Sequence, residues 1–378
     1  MKLRFHHLVL PLLIALVGSA SAQLEIRRTG SFDVHLDPFG GPSGAAATAE
    51  VWNHLMQSGS IVRASGPRNA YVVRANTQGA AISGLALDPS GRQLFARSYT
   101  SRNLSENSRD FARDLLTAIT GATAAPEGTI VFTGGTGRSR ELFAVSPDGS
   151  DLRQLTRDNN LNVSPALSPD GSKVAFTSYV SGYPDIHLLD LRSGRRSTII
   201  NSPGLNTGAA FAPNGRQIAL IMSFPGNPEL FTSNLSGRAR RLTRTPGVES
   251  SPTWSPDGRS IAYVASDGGN PRIFIIPANG GQPRPLNTGH GYSTEPAWSP
   301  AGDVLALTVS SGGMQIATHN LRTGQTQLHG PGEDPVWSPD GSHIAFVQNG
   351  NLGLLNVQTG ARSLIVRGRG AKEPTWSR

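Results

Sequence analysis

The sequence has no cysteine, very few lysines and no long apolar run after its first residues, and each absence excludes a class of protein. None of its 378 residues is cysteine, so disulfides, cysteine-bound metals and lipid attachment through cysteine are excluded. Only Lys2, Lys173 and Lys372 are lysines, so the net charge of +8 comes almost entirely from arginine. These arginines form no long basic run, which argues against nucleic-acid binding.

The first 22 residues have the layout of an export signal. Lys2 and Arg4 give a positive start, an apolar core covers residues 8–17, and positions 20–22 supply the small residues of a cleavage site. We therefore expect cleavage near Gln23, export to the periplasm and no membrane span in the mature protein. A retained membrane anchor is the less favoured alternative, because this apolar core is shorter than the roughly 18 residues that a span needs.

A short motif recurs through the last two thirds of the chain. In its clearest copy, Pro-Thr-Trp-Ser-Pro-Asp-Gly at 252–258 precedes the apolar run 261–264. The copies are centred 39 to 44 residues apart, on Ser168, Ala212, Ser255, Ser299, Ser338 and Ser377. This period is typical of propellers and solenoids, and four short β segments joined by Gly-rich turns in each unit favour a propeller blade. Six spaced copies disfavour the alternative, a single β-sandwich with accidental similarity.

The repeat both starts and stops within a blade. Its first apolar strand begins at Ile130 without a preceding Pro-x-Trp strand, and its last copy is the lone Pro-Thr-Trp-Ser at 374–377. The sequence therefore predicts a six-bladed β-propeller over residues 126–378, in which the strand around Trp376 pairs with the strand around Ile130. Such pairing leaves no open sheet edge.

Residues 23–125 lack the repeat and predict a small α+β domain, so the fold class is mainly β. Helices are expected over 45–57 and, with Ser108 as its N-cap, over 108–121, and strands at 61–63, 71–74, 81–87 and 93–99.

Several motifs in this order of segments resemble the TolB family of the bacterial Tol-Pal system. The matching segments are 161–171, 185–190, 240–243 and the Pro-Thr-Trp-Ser ending in the repeats, and 85–88, 91–94 and 109–121 in the α+β domain. The resemblance implies a non-enzymatic, monomeric scaffold. It would bind a peptidoglycan-associated lipoprotein through its propeller face, support envelope integrity and cell division, and offer its mature N-terminus to a TolA-like protein. One blade replaces Pro and Asp of the motif, but Asn214 still suits the turn, so we expect that blade to be intact.

The loops that lead into the innermost strands of a propeller meet at one mouth of its channel. Here these loops precede each Pro-x-Trp element, and we expect them to contact the partner; the plainer interpretation is a solvated surface. The residues concerned are Asn162, Ser164, Asn206, Ser250, Thr294, Glu295, Glu333, Asp334, Lys372 and Glu373.

Five acids of these loops are expected to converge on the channel axis: Glu249, Glu295, Glu333, Asp334 and Glu373. Carboxylates beside a wet channel suit a hard cation such as Ca²⁺, although no cofactor is required. The alternative is that these acids merely flank turns and point outward.

Two other functions compete with a scaffold. A relative of peptidase propellers would need a Gly-x-Ser-x-Gly elbow and an α/β domain, and the sequence has neither. Its scattered histidines also lack zinc-ligand spacing, so we expect no enzyme. A propeller that binds carbohydrate or a small ligand in its channel could stack it on Trp254, Trp298, Trp337 and Trp376. The fixed place of these tryptophans in the repeat favours packing between blades instead.

Overall fold

The computed structural model describes residues 32–58, 61–120, 126–137, 139–224, 226–266 and 268–377. The predicted export signal lies outside these ranges. Among the residues described, none of the helices combines the length and the apolar character that crossing a membrane requires.

Residues 32–120 form an α+β unit around a five-stranded sheet. Its elements are β1 (Phe32–Leu36), α1 (Gly44–Gln57), β2 (Ile61–Arg63), β3 (Tyr71–Gln78), β4 (Ala81–Leu87), β5 (Gln93–Tyr99) and α2 (Leu104–Thr120). The strand order is β2-β1-β3-β4-β5, with β1 parallel to both of its neighbours and the other pairs antiparallel. Both helices contribute to one core with the sheet, in which Val34, Leu55, Phe111 and Leu115 are fully buried.

Three elements of this unit differ from the sequence prediction. Strand β3 continues to Gln78, four residues beyond its predicted end. Strand β1 was not predicted, although the alternation of Phe32, Val34 and Leu36 with polar residues is a strand pattern. Helix α2 begins four residues before the predicted cap, because the Oδ1 atom of Asn103 accepts the backbone N–H of Ser105 at 3.0 Å. Ser108 is therefore a buried helix residue and not the N-cap.

The remaining described residues form six four-stranded antiparallel sheets, the blades of a β-propeller. Blade 1 comprises β29 (Lys372–Ser377), β6 (Thr129–Thr136), β7 (Ser139–Val145) and β8 (Arg153–Gln154); blade 2, β9 (Asn162–Leu167), β10 (Lys173–Ser178), β11 (Asp185–Asp190) and β12 (Arg196–Ile200); blade 3, β13 (Asn206–Phe211), β14 (Gln217–Met222), β15 (Glu229–Asn234) and β16 (Ala239–Arg241); blade 4, β17 (Val248–Trp254), β18 (Ser260–Ser266), β19 (Arg272–Pro277) and β20 (Arg284–Pro285); blade 5, β21 (Ser293–Trp298), β22 (Val304–Ser310), β23 (Met314–Asn320) and β24 (Thr326–Pro331); blade 6, β25 (Glu333–Trp337), β26 (His343–Gln348), β27 (Asn351–Asn356) and β28 (Arg362–Val366).

The first-named strand of each blade is the innermost, and it packs beside its counterparts in both neighbouring blades. The predicted closure of the ring is confirmed: β29 pairs antiparallel with β6, and Trp376 lies opposite Ile130. A segment that is distant in sequence thus supplies the inner strand of blade 1, so the ring has no open edge between its first and last blades.

The core of the ring lies between blades. Six apolar clusters each join two neighbouring blades, and together they cover all six junctions among the described residues. Trp254, Trp337 and Trp376 are almost completely buried in three of these clusters. Their Nε1–H groups donate to the backbone oxygens of Ala210, Ala297 and Glu127 at 2.9 to 3.1 Å. The prediction that these tryptophans pack between blades is confirmed.

The two ends of the channel differ in structure. We call the end where the innermost strands begin the mouth face, and the opposite end, which carries the Ser-Pro-Asp-Gly turns, the turn face. The α+β unit packs against the turn face at blades 1 and 6, where His54 Nδ1 lies 3.3 Å from Asp148 Oδ2. A cavity of about 400 Å³ lies at this junction, lined by α1, α2 and both blades. The mouth face is therefore left uncovered by the α+β unit.

Candidate functional site at the mouth face

Every innermost strand carries the same β-bulge at the mouth. The pairing register skips two residues on the innermost strand in all six blades. The first of the two always has a left-handed backbone, with φ between 49° and 62°: Ser164, Gly208, Ser251, Glu295, Asp334 and Glu373. The second is proline, except for Ala209 in blade 3. A bulge of this kind turns a side chain out of the sheet, here into the channel mouth.

Three of these left-handed residues are acids in consecutive blades, and each carboxylate accepts a backbone N–H from the next blade. Glu295 Oε2 accepts from Asp334 at 2.8 Å, Asp334 Oδ2 from Glu373 at 2.9 Å, and Glu373 Oε2 from Ser164 at 2.8 Å. The hydroxyls of Thr308 and Thr133 donate to Glu295 and Glu373 respectively. These acids thus join blades 5, 6, 1 and 2 across the channel mouth.

The two neighbouring acids also affect the ionisation of Asp334. Burial, together with the neighbouring Glu295 and Glu373 carboxyls, raises the pKa of Asp334 well above its usual range. Beside them, Lys372 Nζ lies 2.6 Å from Glu333 Oε1 on the partly exposed rim. The hydrogen bond to Glu333 raises the pKa of Lys372 and keeps it charged.

The other predicted contact residues lie in two settings. Ser250 and Thr294 are half-buried on β17 and β21, directly before the bulge. Asn162 and Asn206 are fully buried, and their amides donate to Glu141 Oε2 at 2.9 Å and to the Ser202 carbonyl at 2.7 Å. These two asparagines fix the backbone below the mouth and do not present their side chains to solvent.

Glu249 lies apart from the other four acids that the sequence placed on the axis. It is 1% exposed at the junction of blades 3 and 4, beside the equally buried Glu229. Thr245 Oγ1 donates to Glu249 Oε1 at 2.6 Å, and Arg241 Nη2 donates to Glu229 Oε1 at 2.7 Å. Burial and the adjacent Glu229 carboxyl raise the pKa of Glu249 to about 7. Burial opposes the ionisation of Glu229, but hydrogen bonds from Thr243 and Arg241 lower its pKa.

This arrangement reduces the number of carboxylates that a calcium ion could use. Within the ranges that the structure describes, no three His, Cys, Asp or Glu side chains are grouped so that they could hold a metal ion. The carboxylates of Glu295, Asp334 and Glu373 are engaged by backbone N–H groups, and Glu333 is paired with Lys372. Calcium binding stays a prediction.

Sequence reasoning missed the apolar part of the mouth. Val180, Tyr183 and Phe224 lie on mouth-face loops of blades 2 and 3, and Val248 is the first residue of β17 in blade 4; these side chains are 48% to 73% exposed. They lie outside the repeated motif, so the spacing that located the acids did not reach them. Aligning the loops between the second and third strands of each blade would have revealed Tyr183 and Phe224.

Comparisons with known proteins agree with this architecture. A family model described as PD40, TolB beta propeller domain, matches residues 116–378. The Tol-Pal system protein TolB of Desulfosudis oleivorans is 32% identical over 142 residues, which is 37% of this chain and 32% of that protein. A protein TolB homolog of Chlorobium chlorochromatii is 34% identical over 143 residues, again 37% of this chain and 32% of that protein. The matches thus span about a third of the length of these curated relatives.

A solved structure extends the likeness to the whole fold. The crystal structure of TolB from Acinetobacter baumannii superposes with a TM-score of 0.82, covering 93% of this chain and 97% of that one. Sequence identity over the superposition is 22%, so the comparison concerns the fold, including the α+β unit before the propeller.

Proposed function

This chain belongs to the TolB β-propeller family, and from that membership we propose that it is a non-enzymatic scaffold protein of the bacterial envelope. It binds a peptidoglycan-associated lipoprotein through the mouth face of its propeller, and in this way supports envelope integrity and cell division. It acts in the periplasm after removal of residues 1–22. Its mature N-terminus serves as the contact for a TolA-like protein.

The observation that carries this proposal is the uncovered mouth face. The α+β unit occupies the turn face through the contact between His54 and Asp148, so a partner can reach the channel mouth without displacing it. Exposed Tyr183 and Phe224 give this face the large apolar side chains that protein interfaces favour. Monomeric proteins usually expose such residues singly, whereas here they lie on neighbouring blades.

A binding experiment tests the proposal. The mature chain is titrated with the soluble domain of the peptidoglycan-associated lipoprotein from the same organism, and the dissociation constant is measured by calorimetry. Phe224→Ser on the mouth face is expected to weaken binding about tenfold or more, because an exposed aromatic contact is lost. Arg216→Ser on the turn face is the control and is expected to leave binding unchanged.

Two results would contradict the proposal. No binding by the unmodified chain would remove the lipoprotein as partner. Equal weakening by both variants would show that the mouth face is not the contact. Retention of a glycan without any protein partner would instead support the carbohydrate-binding alternative.

A further inference from the structure

The six left-handed bulge residues divide the channel mouth into two halves of different chemistry. Glu295, Asp334 and Glu373 form what we call the acidic arc, in blades 5, 6 and 1. Ser164, Gly208 and Ser251 form the neutral arc, in blades 2, 3 and 4. The backbone is the same in both halves, so the arcs differ only in their side chains.

Each acid of the acidic arc accepts the backbone N–H of the bulge in the next blade. A bulge removes one backbone N–H from the ladder between strands, and a polar group without a partner is unfavourable. The N–H groups of Asp334, Glu373 and Ser164 donate to the carboxylate of the preceding blade, at 2.8 to 2.9 Å. The second bulge residue is proline in these blades and has no N–H to satisfy.

The neutral arc offers no carboxylate to the backbone N–H of the bulge in the next blade. The next three N–H groups round the ring belong to Gly208, Ser251 and Glu295, and the register skips these residues in the same way. The preceding bulge residues are Ser164, Gly208 and Ser251, none of which carries an acid. In the described parts of the chain no side-chain acceptor bonds to these three N–H groups. Three neighbouring backbone donors at one mouth attract an anionic group.

The surroundings of the neutral arc restrict the kind of anion. Exposed Tyr183 and Phe224 lie on mouth-face loops of blades 2 and 3, and exposed Val248 begins β17 of blade 4. Arg244, in the loop that leads into β17, and Arg272, at the mouth end of β19, are both exposed there. An apolar border with added positive charge suits an acidic side chain that is presented between apolar ones, and suits a free hydrated anion less well.

We propose that the neutral arc binds a carboxylate of a partner protein. This carboxylate accepts hydrogen bonds from the bulge N–H groups that the acidic arc does not reach. The apolar border then contacts the residues on either side of that carboxylate. This inference rests on the proposed function only in taking the occupant to be a protein, and it adds the chemistry by which the occupant is recognised.

Ser251→Glu is the direct test, because it supplies the missing acid from within. Glutamate occupies the equivalent position at φ 52° in Glu295 and φ 50° in Glu373, so the backbone accepts it. The new carboxylate would accept the N–H of Glu295 and block the arc. Ser251→Gln is the matched control, since it has the same size without the charge. The melting temperature of each variant is measured to check that it folds.

Two probes are titrated into each protein. One is the soluble domain of the peptidoglycan-associated lipoprotein, and the other is a pair of blocked peptides, Ser-Leu-Glu-Leu-Ser and Ser-Leu-Gln-Leu-Ser, followed by NMR. We expect the unmodified chain to prefer the Glu peptide about tenfold, as a charge-assisted hydrogen bond predicts. Ser251→Glu should abolish this preference and weaken binding of the lipoprotein domain about tenfold or more. Ser251→Gln should retain most of the peptide preference and most of the affinity for the lipoprotein domain.

The outcomes separate the two proposals. Lipoprotein binding that Ser251→Glu and Ser251→Gln affect equally overturns the carboxylate site but leaves the proposed function standing. Absence of lipoprotein binding, with the peptide preference intact and lost in Ser251→Glu, overturns the proposed partner but supports the site. No preference for the Glu peptide in the unmodified chain overturns the site whatever the lipoprotein does.

Discussion

Equivalent positions in blades 2 and 4 carry different residues, and we expect this difference to make the junction of blades 3 and 4 sensitive to pH. Asn162 and Glu249 both lie two residues before the bulge, in blades 2 and 4. Asn162 donates its amide to Glu141, so the buried carboxylate there has a permanent donor. At the other junction a second acid takes this place, and Glu249 can donate to Glu229 only while it is protonated. We therefore expect the two buried glutamates to share one proton near neutral pH, because adjacent like charges disfavour double ionisation.

Glu249→Gln should remove this sensitivity. The pKa of Glu249 in the fold, about 7, lies above the ordinary value for glutamate. Its stabilising contribution is therefore complete at pH values below the ordinary pKa and is lost as the pH rises through 7. Glutamine keeps the donor at every pH, so the variant should match the parent near pH 5 and exceed its unfolding free energy by on the order of 1 kcal/mol near pH 8.

Thermal or urea unfolding at both pH values measures this difference. Arg241, Tyr263 and Thr245 face the same pair and are present in both proteins, so their effects cancel in the comparison. A constant difference between the two proteins from pH 5 to pH 8 would contradict proton sharing.

At the scale of single elements, the inner strand of each blade carries both the packing and the site. In blades 1, 4, 5 and 6 a tryptophan lies at or next to the end of this strand, between blades, and in all six blades the bulge lies at the mouth. Trp376 of β29 is the case with the largest consequence, since it packs with blade 6 residues and joins the two ends of the ring.

Trp376→Ala should cost about 3 to 5 kcal/mol of unfolding free energy, as large buried aromatics do. Trp298→Ala is the matched control, because that ring is only half-buried and its Nε1–H donates within its own turn, to Gly302 O at 3.0 Å. Urea unfolding should give a clearly smaller loss for Trp298. Equal losses would contradict the argument that the deeper burial of the Trp376 ring determines the cost.

The strands of the propeller could be predicted well because each blade repeats the same turn chemistry. Pro256, Asp257 and Gly258 set one hairpin, and their counterparts recur at a regular period, so the number of blades and the four-stranded pattern of each could be predicted. The α+β unit has no repeat, and there the start of α2 depended on whether Asn103 or Ser108 was the cap.

The sequence could predict where the site lies but not which contacts its residues make. The left-handed residues stand just before proline in the motif, so spacing places Glu295, Asp334 and Glu373 together. Each acid accepts an N–H from a residue in another blade, 39 residues away for Glu295 and Asp334 and 209 residues away for Glu373 and Ser164. These contacts depend on the geometry of the ring, so the sequence around each acid does not indicate them. The burial of Asn162 also depends on the neighbouring blade and could not be read from its loop.

At the scale of the whole molecule, the chain has two kinds of core. The α+β unit has one central cluster, in which Phe111 contacts the rings of Phe39, Phe95 and Tyr99. The propeller has a ring of separate clusters, one at each junction. No cluster is shared between the two units among the residues described, so we expect them to unfold in distinguishable steps.

Phe111→Ala should therefore affect one step and spare the other. Loss of this fully buried ring should destabilise the α+β unit by about 3 to 5 kcal/mol. Differential scanning calorimetry should show one transition shifted to lower temperature and the other unchanged. A single transition that moves as a whole would mean that the contact at the turn face couples the two units.

The pairing of β29 with β6 also bears on how the protein is made. During synthesis, every other described strand emerges before the one that completes blade 1. Until then β6 presents an unpaired edge, which is where a chain can add a foreign strand. The newly made polypeptide therefore passes through a stage in which blade 1 lacks its inner strand and its junctions with blades 2 and 6 are incomplete. A translation product released before Lys372 would keep the edge of β6 open to strands of other chains.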